Sequence, residues 1–107
     1  MTRFVDVSVI LTRYLGDEPQ PGIVKAQISD WEGIRHTFVD KVPMFTAEQP
    51  THYPAVGQMR VQVLDEQPIT GPWTRLLIST EQPFYICDDS GEYASFWVHS
   101  EQVVEKS

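Results

Sequence analysis

The chain has little of the chemistry that marks exported proteins. Only one of its 107 residues is a cysteine, Cys87, so an internal disulfide cannot form and a reducing compartment is favoured. The first residues are interrupted by Asp6 and Ser8, and they lack the continuous apolar segment of a signal peptide. No run approaches the roughly 18 apolar residues of a membrane helix. These absences predict a cytoplasmic protein that does not span a membrane.

Positive charge is also scarce. Eight Lys and Arg residues stand against fifteen Asp and Glu, which gives a formal net charge of -7. A negative chain with scattered basic residues repels phosphate backbones and anionic lipid headgroups. The charge therefore disfavours nucleic-acid and membrane partners and is compatible with a basic protein partner.

The common catalytic and metal-binding motifs are missing. The sequence contains no Cys-x-x-Cys, no His-x-x-x-His and no Gly-x-Ser-x-Gly. Cys87 has no basic neighbour in sequence that would lower the pKa of a reactive thiol. Residues 88–91, Asp-Asp-Ser-Gly, are too short for a calcium loop and typical of a turn. We therefore expect no catalytic residue, no metal and no cofactor.

The pattern that is present is alternation of apolar and polar residues with period two, which is typical of β-strands. Glycine and proline separate the alternating segments, and 107 residues leave room for one core. The sequence predicts one domain over residues 1–107, an all-β antiparallel barrel or sandwich of six to seven strands with at most a short helical turn. The predicted strands are 3–14, 23–31, a strand from Ile34 towards Pro43, 58–66, 73–80, 84–87 and 93–99.

The segment from Ile34 to Phe45 is the most tightly patterned. Its first half alternates, and Pro43 then removes a backbone donor, so the strand ends there or lies at an edge. We expect neighbouring strands to pair with the first half, and Glu32-Gly33 to form a hairpin turn before it. An exposed edge near Pro43 would permit a dimer, although a proline there would equally block one.

Three histidines are candidates for chemistry. His36 and Asp40 lie on one face of one strand, but about 13 Å separates residues four apart, so they form no dyad by themselves. His36 is expected to be partly buried or at the sheet surface, and His99 to lie at an exposed strand end. His52 lies in the long loop 46–57, the kind of segment that often carries function.

Aromatic residues are the remaining signal, at 11% of the chain. Such residues fill small β cores, and they also anchor protein interfaces. Trp31, beside the hairpin turn, and Tyr53, in the long loop, are expected to be exposed. Trp31, His52 and Tyr53 are therefore the predicted binding residues.

Three functions fit these features. The leading one is a non-enzymatic protein-interaction module, accessory or immunity-like, which would present exposed aromatic residues rimmed by acidic ones. The second is a small-ligand-binding barrel that uses the loop 46–57. The third is a hydrolase-like enzyme in which folding brings a carboxylate to His52 or His36.

Three segments resemble those of a group of small uncharacterised bacterial β proteins. They are His36–Pro43, Tyr53–Gly57 and Ser79–Pro83, and the likeness extends over about residues 24–104. The shared features are strand ends, proline-containing turns and a closing strand before a short tail. The resemblance implies a bacterial, cytoplasmic, all-β protein and carries over no activity.

Overall fold

The computed structural model describes residues 2–17, 22–86, 88–91 and 94–104. Within these ranges the chain forms seven strands and two short 3-10 turns, and all pairing between strands is antiparallel. The predicted all-β fold is confirmed. The elements are β1 (Arg3–Gly16), β2 (Ile23–Ser29), β3 (Arg35–Lys41), the turn Val42–Met44, β4 (Ala55–Thr70), β5 (Trp73–Ser79), β6 (Ser95–His99), the turn Ser100–Gln102 and β7 (Val103–Val104).

The strands form one sheet, curled into a half-barrel, in the order β3-β2-β1-β4-β5-β6. The long strand β1 pairs with β4 along one edge, from Arg3 to Leu11. Its other edge pairs first with β7 and then, from Ile10 onward, with β2. β1 favours these pairings because Val5, Val7, Val9 and Leu11 form one continuous apolar side of the strand.

The core lies on the concave face of the sheet. One parity of each strand points there, as the alternation predicts. Gly57 lets β4 approach the segment after β3, because a Cβ at this position would lie 2.9 Å from the carbonyl oxygen of Phe45. The buried apolar residues are Val7, Val9, Leu11, Val24, Ala26, Ile28, Phe38, Val42, Phe45, Met59, Val61, Leu76, Ile78, Ile86, Phe96 and Val98.

The curl brings β6 to the turn between β2 and β3. The backbone N–H of Trp31 donates to the carbonyl of Trp97 at 2.7 Å. The side-chain amide of Gln102 donates to the carbonyl of Ser29, also at 2.7 Å. Parts of the chain that are far apart in sequence therefore meet at this end of the molecule.

Several predicted boundaries were wrong. β4 begins at Ala55 and continues to Thr70, so it is longer than the predicted strand 58–66 and includes the end of the predicted loop 46–57. Pairing with β1 and β5 keeps these residues extended in spite of their glycine and proline. β3 is the last strand of the sheet order, and β2 pairs with all of it rather than with its first half. The predicted hairpin of β2 and β3 is confirmed, with a longer turn that spans residues 30–34.

The segments outside the sheet also differ from the expectation. Phe84 and Tyr85 are exposed and belong to no strand, and Asp88 makes an isolated bridge to Phe38. Cys87, the end of the predicted strand 84–87, lies outside the described residues, as does Tyr93 at the start of another. The 3-10 turns at Val42–Met44 and Ser100–Gln102 have three residues each, and the described residues form no longer helix. None of the described residues belongs to a helix long and apolar enough to cross a membrane.

A small charged network lies on the β4–β5 hairpin, towards its turn. Glu66 accepts a hydrogen bond from the hydroxyl of Thr74 at 2.8 Å and one from the guanidinium of Arg3 at 2.7 Å. These two donors, Thr74 first, lower the pKa of Glu66 below its ordinary value. The charged carboxylate therefore stabilises the fold at a pH above the ordinary pKa of glutamate, and this stabilisation is lost as the pH falls through the lowered pKa.

Replacing Glu66 with glutamine is expected to reduce the free energy of unfolding at neutral pH by about 0.2–1 kcal/mol, the range of exposed ion pairs. The difference from the wild type should shrink as the solution is acidified. Urea unfolding between neutral and acid pH measures it, and Glu48→Gln, at an exposed position, is the matched control. A difference that persists below the lowered pKa would contradict the role given to the Glu66 charge.

Candidate functional site

His36 is buried, not at the sheet surface as one expectation had it. The residue is 1% exposed, and its ring stacks on Phe96 with 4.0 Å between ring centroids and 11° between planes. Its Nε2 lies 2.7 Å from a carboxylate oxygen of Asp30, and its Nδ1 lies 3.3 Å from one of Asp88. Both contacts are hydrogen bonds at once only when each nitrogen carries a proton or one carboxyl does.

Each carboxylate also orders a turn. The other oxygen of Asp30 accepts hydrogen bonds from the backbone N–H groups of Glu32 and Ile34, at 2.8 and 2.9 Å. The other oxygen of Asp88 accepts from the backbone N–H of Ser90 at 2.8 Å. This is the turn chemistry predicted for residues 88–91. His36 therefore joins two turns to the sheet.

The distances from His36 to the two carboxylates would suit an acid–base pair, but the burial of these side chains would not. The side chain of His36 is 0% exposed, and those of Asp30 and Asp88 are 7% and 5% exposed. A general base must come within hydrogen-bond reach of the proton it abstracts, directly or through one water. A substrate cannot approach a ring that is stacked and enclosed in this way, so this cluster stabilises the fold.

A second cluster lies on the outer surface. Cross-strand pairing places Arg75 opposite His99 and Leu77 opposite Trp97, all of the parity that points away from the core. Trp73, at the start of β5, shares that parity. We call this surface the aromatic face; it consists of Trp31, Trp73, Arg75, Leu77, Trp97 and His99.

His99 lies between two of the tryptophans of the aromatic face. Its ring stacks on Trp31, with centroids 5.7 Å apart and planes 22° apart, and meets Trp73 at 5.5 Å and 52°. The backbone N–H of Glu101 donates to Nδ1 of His99 at 2.9 Å, which fixes the ring. His99 is thus half-buried by its neighbours, although it was expected at an exposed strand end.

Arg75 completes the aromatic face. Its guanidinium carbon lies 4.4 Å above the ring of Trp97, a cation–π contact. Two nitrogens of the same guanidinium donate to the side-chain oxygen of Gln67, at 2.6 and 3.0 Å. These contacts hold Arg75 in place, so the surface is largely preformed.

The aromatic face is exposed and has acidic residues around it. Trp31 and Trp73 are 39% and 41% exposed, which is high for such large apolar side chains. The exposed acids are Glu32, which follows Trp31 directly, Glu101, beside His99, and Asp65, which pairs with Leu77 across the strands. The arrangement can bind a large ligand by apolar contact and favours a positive one.

The structure does not bring the three predicted binding residues together. Trp31 is exposed, as expected, and belongs to the aromatic face. Tyr53 is half-buried and packs near Tyr14 at 6.4 Å, and burial raises the pKa of its phenol. Tyr14 pairs with Val24 at the far end of β2, so Trp31 and Tyr53 are roughly 20 Å apart along the strand. His52 is exposed beside Tyr53 in sequence.

Sequence reasoning missed most of the aromatic face. Alternation does place Trp73 and Leu77 on one side of β5, and Trp97 away from Phe96 in β6. The alternation contains no signal that β6 packs against the turn of Trp31, because that contact depends on the curl of the sheet. Asp30 and Asp88 were missed as partners of His36 for the same reason.

Other parts of the surface offer open grooves. One groove of about 420 Å³ lies where β7 and β2 diverge along β1, and is lined by Ser8, Gln27 and Arg35 among others. Another, of about 410 Å³, lies around Arg3 and Val104. Among the described residues, no group of three or more histidine, cysteine or acidic side chains could hold a metal ion. The predicted ligand site at the loop 46–57 stays a prediction.

Comparisons of the chain with protein-family models, with curated proteins and with solved structures give no match.

Replacing His36 with alanine is expected to reduce the free energy of unfolding by about 3–5 kcal/mol, because two buried aspartate side chains lose their shared hydrogen-bond partner. Denaturant unfolding measures the change. His52→Ala is the matched control and should stay within about 0.5 kcal/mol of the wild type, since His52 is exposed. A loss below about 1 kcal/mol for His36→Ala would contradict the structural role of this cluster.

Proposed function

We propose that the protein is a non-enzymatic interaction module that binds a basic protein partner through the aromatic face. The observation that carries the proposal is the exposure of Trp31 and Trp73 on either side of His99. Tryptophan and arginine are the residues that dominate the binding energy of protein interfaces. A surface that holds both, already ordered, loses little conformational entropy when it binds.

Charge supports a basic partner. The chain carries a net charge of -7, and Glu32, Asp65 and Glu101 lie around the aromatic face. Complementary charge of this kind accelerates association and selects the partner, and its effect falls with salt. Nucleic acid, which is negative, is disfavoured by the same argument.

The aromatic face is too small to be a whole protein interface, so we assign it to the centre of a larger one. A specific interface buries about 800 Å² on each partner, more than a few half-exposed side chains provide. The tryptophans are therefore assigned to the centre of the interface, and the acidic residues to its polar rim. An accessory or immunity-like role, in which a small acidic protein covers a basic surface of another protein, suits these properties.

We also propose a cytoplasmic location in a bacterial cell. A single cysteine suits a reducing compartment, and the likeness of three segments to small bacterial β proteins supports the source. A dimer is compatible with this arrangement, because β3 lies at the end of the sheet order, although Pro43 in the turn that follows β3 would equally block one.

Affinity capture with the tagged protein tests the proposed surface. Wild type, Trp31→Ala and Trp73→Ala are each incubated with extract of the source organism at low and at moderate salt. Val56→Ala is the control, because Val56 is 71% exposed and lies six residues before the part of β4 that pairs with β5. Circular dichroism verifies that each variant is folded.

The wild type and Val56→Ala should retain the same basic protein, in stoichiometric amounts that decrease with salt. Each tryptophan variant should bind it about thirtyfold more weakly, since truncating a central interface residue costs about 2 kcal/mol. Equal retention by all four proteins would exclude the aromatic face as the binding surface. Retention of no protein at either salt would count against the interaction function itself.

A further inference from the structure

A small cavity opens beside the aromatic face, between the turn of residues 30–34 and the outer side of β5 and β6. Its volume is about 220 Å³. Small-molecule sites have roughly 300–1,000 Å³, so this cavity is the size for a single side chain. Its lining residues are Asp30, Glu32, Ile34, Leu77, Ser95, Phe96 and Trp97.

The walls of the cavity are apolar and held in place. Leu77 and Trp97 form a cross-strand pair on one side, and Ile34 lies on the other. The backbone of Ile34 is fixed by two hydrogen bonds, one donated to the Asp30 carboxylate and one accepted from the Asp30 N–H, both at 2.9 Å. An alkyl chain that entered would meet a preformed apolar surface.

The charge at the cavity is negative. Two of its lining residues, Asp30 and Glu32, carry carboxylates, and none of the described lining residues is basic. Both oxygens of Asp30 already have hydrogen-bond partners, one in the backbone of the turn and the other in His36. Glu32 is exposed at the edge of the cavity, and its carboxylate is the group placed to meet an incoming cation.

Trp97 supplies a third attraction for a cation. One face of its ring is already covered by the guanidinium of Arg75, so an incoming cation has to approach the ring from another side, away from that positive charge. Arg75 and His99 do not line the cavity, whereas Ser95 does, so the cavity meets Trp97 on its Ser95 side. An aromatic ring, an apolar wall and a carboxylate together match the chemistry of a long basic side chain.

We infer that this cavity, which we call the cation pocket, binds a lysine or arginine side chain of the partner. The alkyl stem lies against Ile34 and Leu77, and the charge meets Glu32 and the ring of Trp97. The inference rests on the proposed function, because the pocket borders the aromatic face and would receive one residue of the protein that docks there.

Titration of the isotope-labelled protein with short peptides tests the cation pocket. Four capped pentapeptides differ only at the central residue, which is lysine, arginine, norleucine or glutamate, with glycine elsewhere. NMR follows the indole N–H of Trp97 and the methyl groups of Ile34 and Leu77. The lysine and arginine arms show which cation the pocket prefers, and norleucine has the apolar stem of lysine without its charge.

The cationic peptides should shift all three sets of signals, and the norleucine and glutamate peptides should bind at least tenfold more weakly. Glu32→Gln should weaken the cationic peptides about tenfold. Glu48→Gln, which removes an equal charge at an exposed position that neither lines the cavity nor belongs to the acidic rim, should leave their affinity unchanged. Glu32 and Glu48 are both exposed, so the folds of these variants should be intact.

Equal binding of the norleucine and lysine peptides, or shifts confined to other parts of the protein, would overturn the cation pocket. Partner capture separates the two proposals. If the partner is lost with Trp73→Ala but retained at full affinity by Glu32→Gln, the pocket is wrong and the interaction function stands. If the cationic peptides bind at the pocket and the extract yields no partner, the pocket stands and the function proposed around it fails.

Discussion

The hydrogen bonds between His36 and the carboxylates of Asp30 and Asp88 are the contacts on which the outer surface of the protein depends. Asp30 orders the turn between β2 and β3 with one oxygen and reaches the imidazole with the other. Asp88 does the same for a turn 52 residues away from His36. In a buried setting such groups are costly to leave unpaired, so each half of the cluster requires the other.

The aromatic face follows from this arrangement. The turn that Asp30 orders also carries Trp31, whose backbone N–H donates to Trp97 and whose ring covers His99. The buried cluster thus lies behind the exposed one, and Phe96, which stacks on His36, alternates in β6 with Trp97, which faces outward. A change in the core at His36 would be transmitted to the surface through this turn.

The buried His36 cluster and the exposed aromatic face differ in what they could contribute to function. His36 has carboxylate partners at suitable distances, yet its burial removes it from any substrate. The tryptophans have no catalytic chemistry, yet they present exposed apolar area next to fixed charge. The interaction function that we propose therefore rests on the exposed cluster and not on His36.

The sequence predicted correctly those features of the fold that depend on neighbouring residues within one strand. The alternation in β1 and β2 identified the inward side chains correctly, because period two follows from the geometry of a single strand. The bounds of β4 were wrong, since Ala55 to Gly57 and Gln67 to Thr70 are extended only through their neighbours β1 and β5. Phe84 and Tyr85 look like strand residues but have no strand partner.

The sequence by itself determined the all-β class, the negative charge and the inward side chains of β1 and β2. Composition and alternation express these properties directly, since they depend on residues close together in the chain. Only the tertiary structure decided that Asp30 and Asp88 meet His36, and that Trp31, Trp73 and Trp97 share one surface with Arg75. Those contacts join residues tens of positions apart, and they depend on strand order and sheet curl, which no local pattern records.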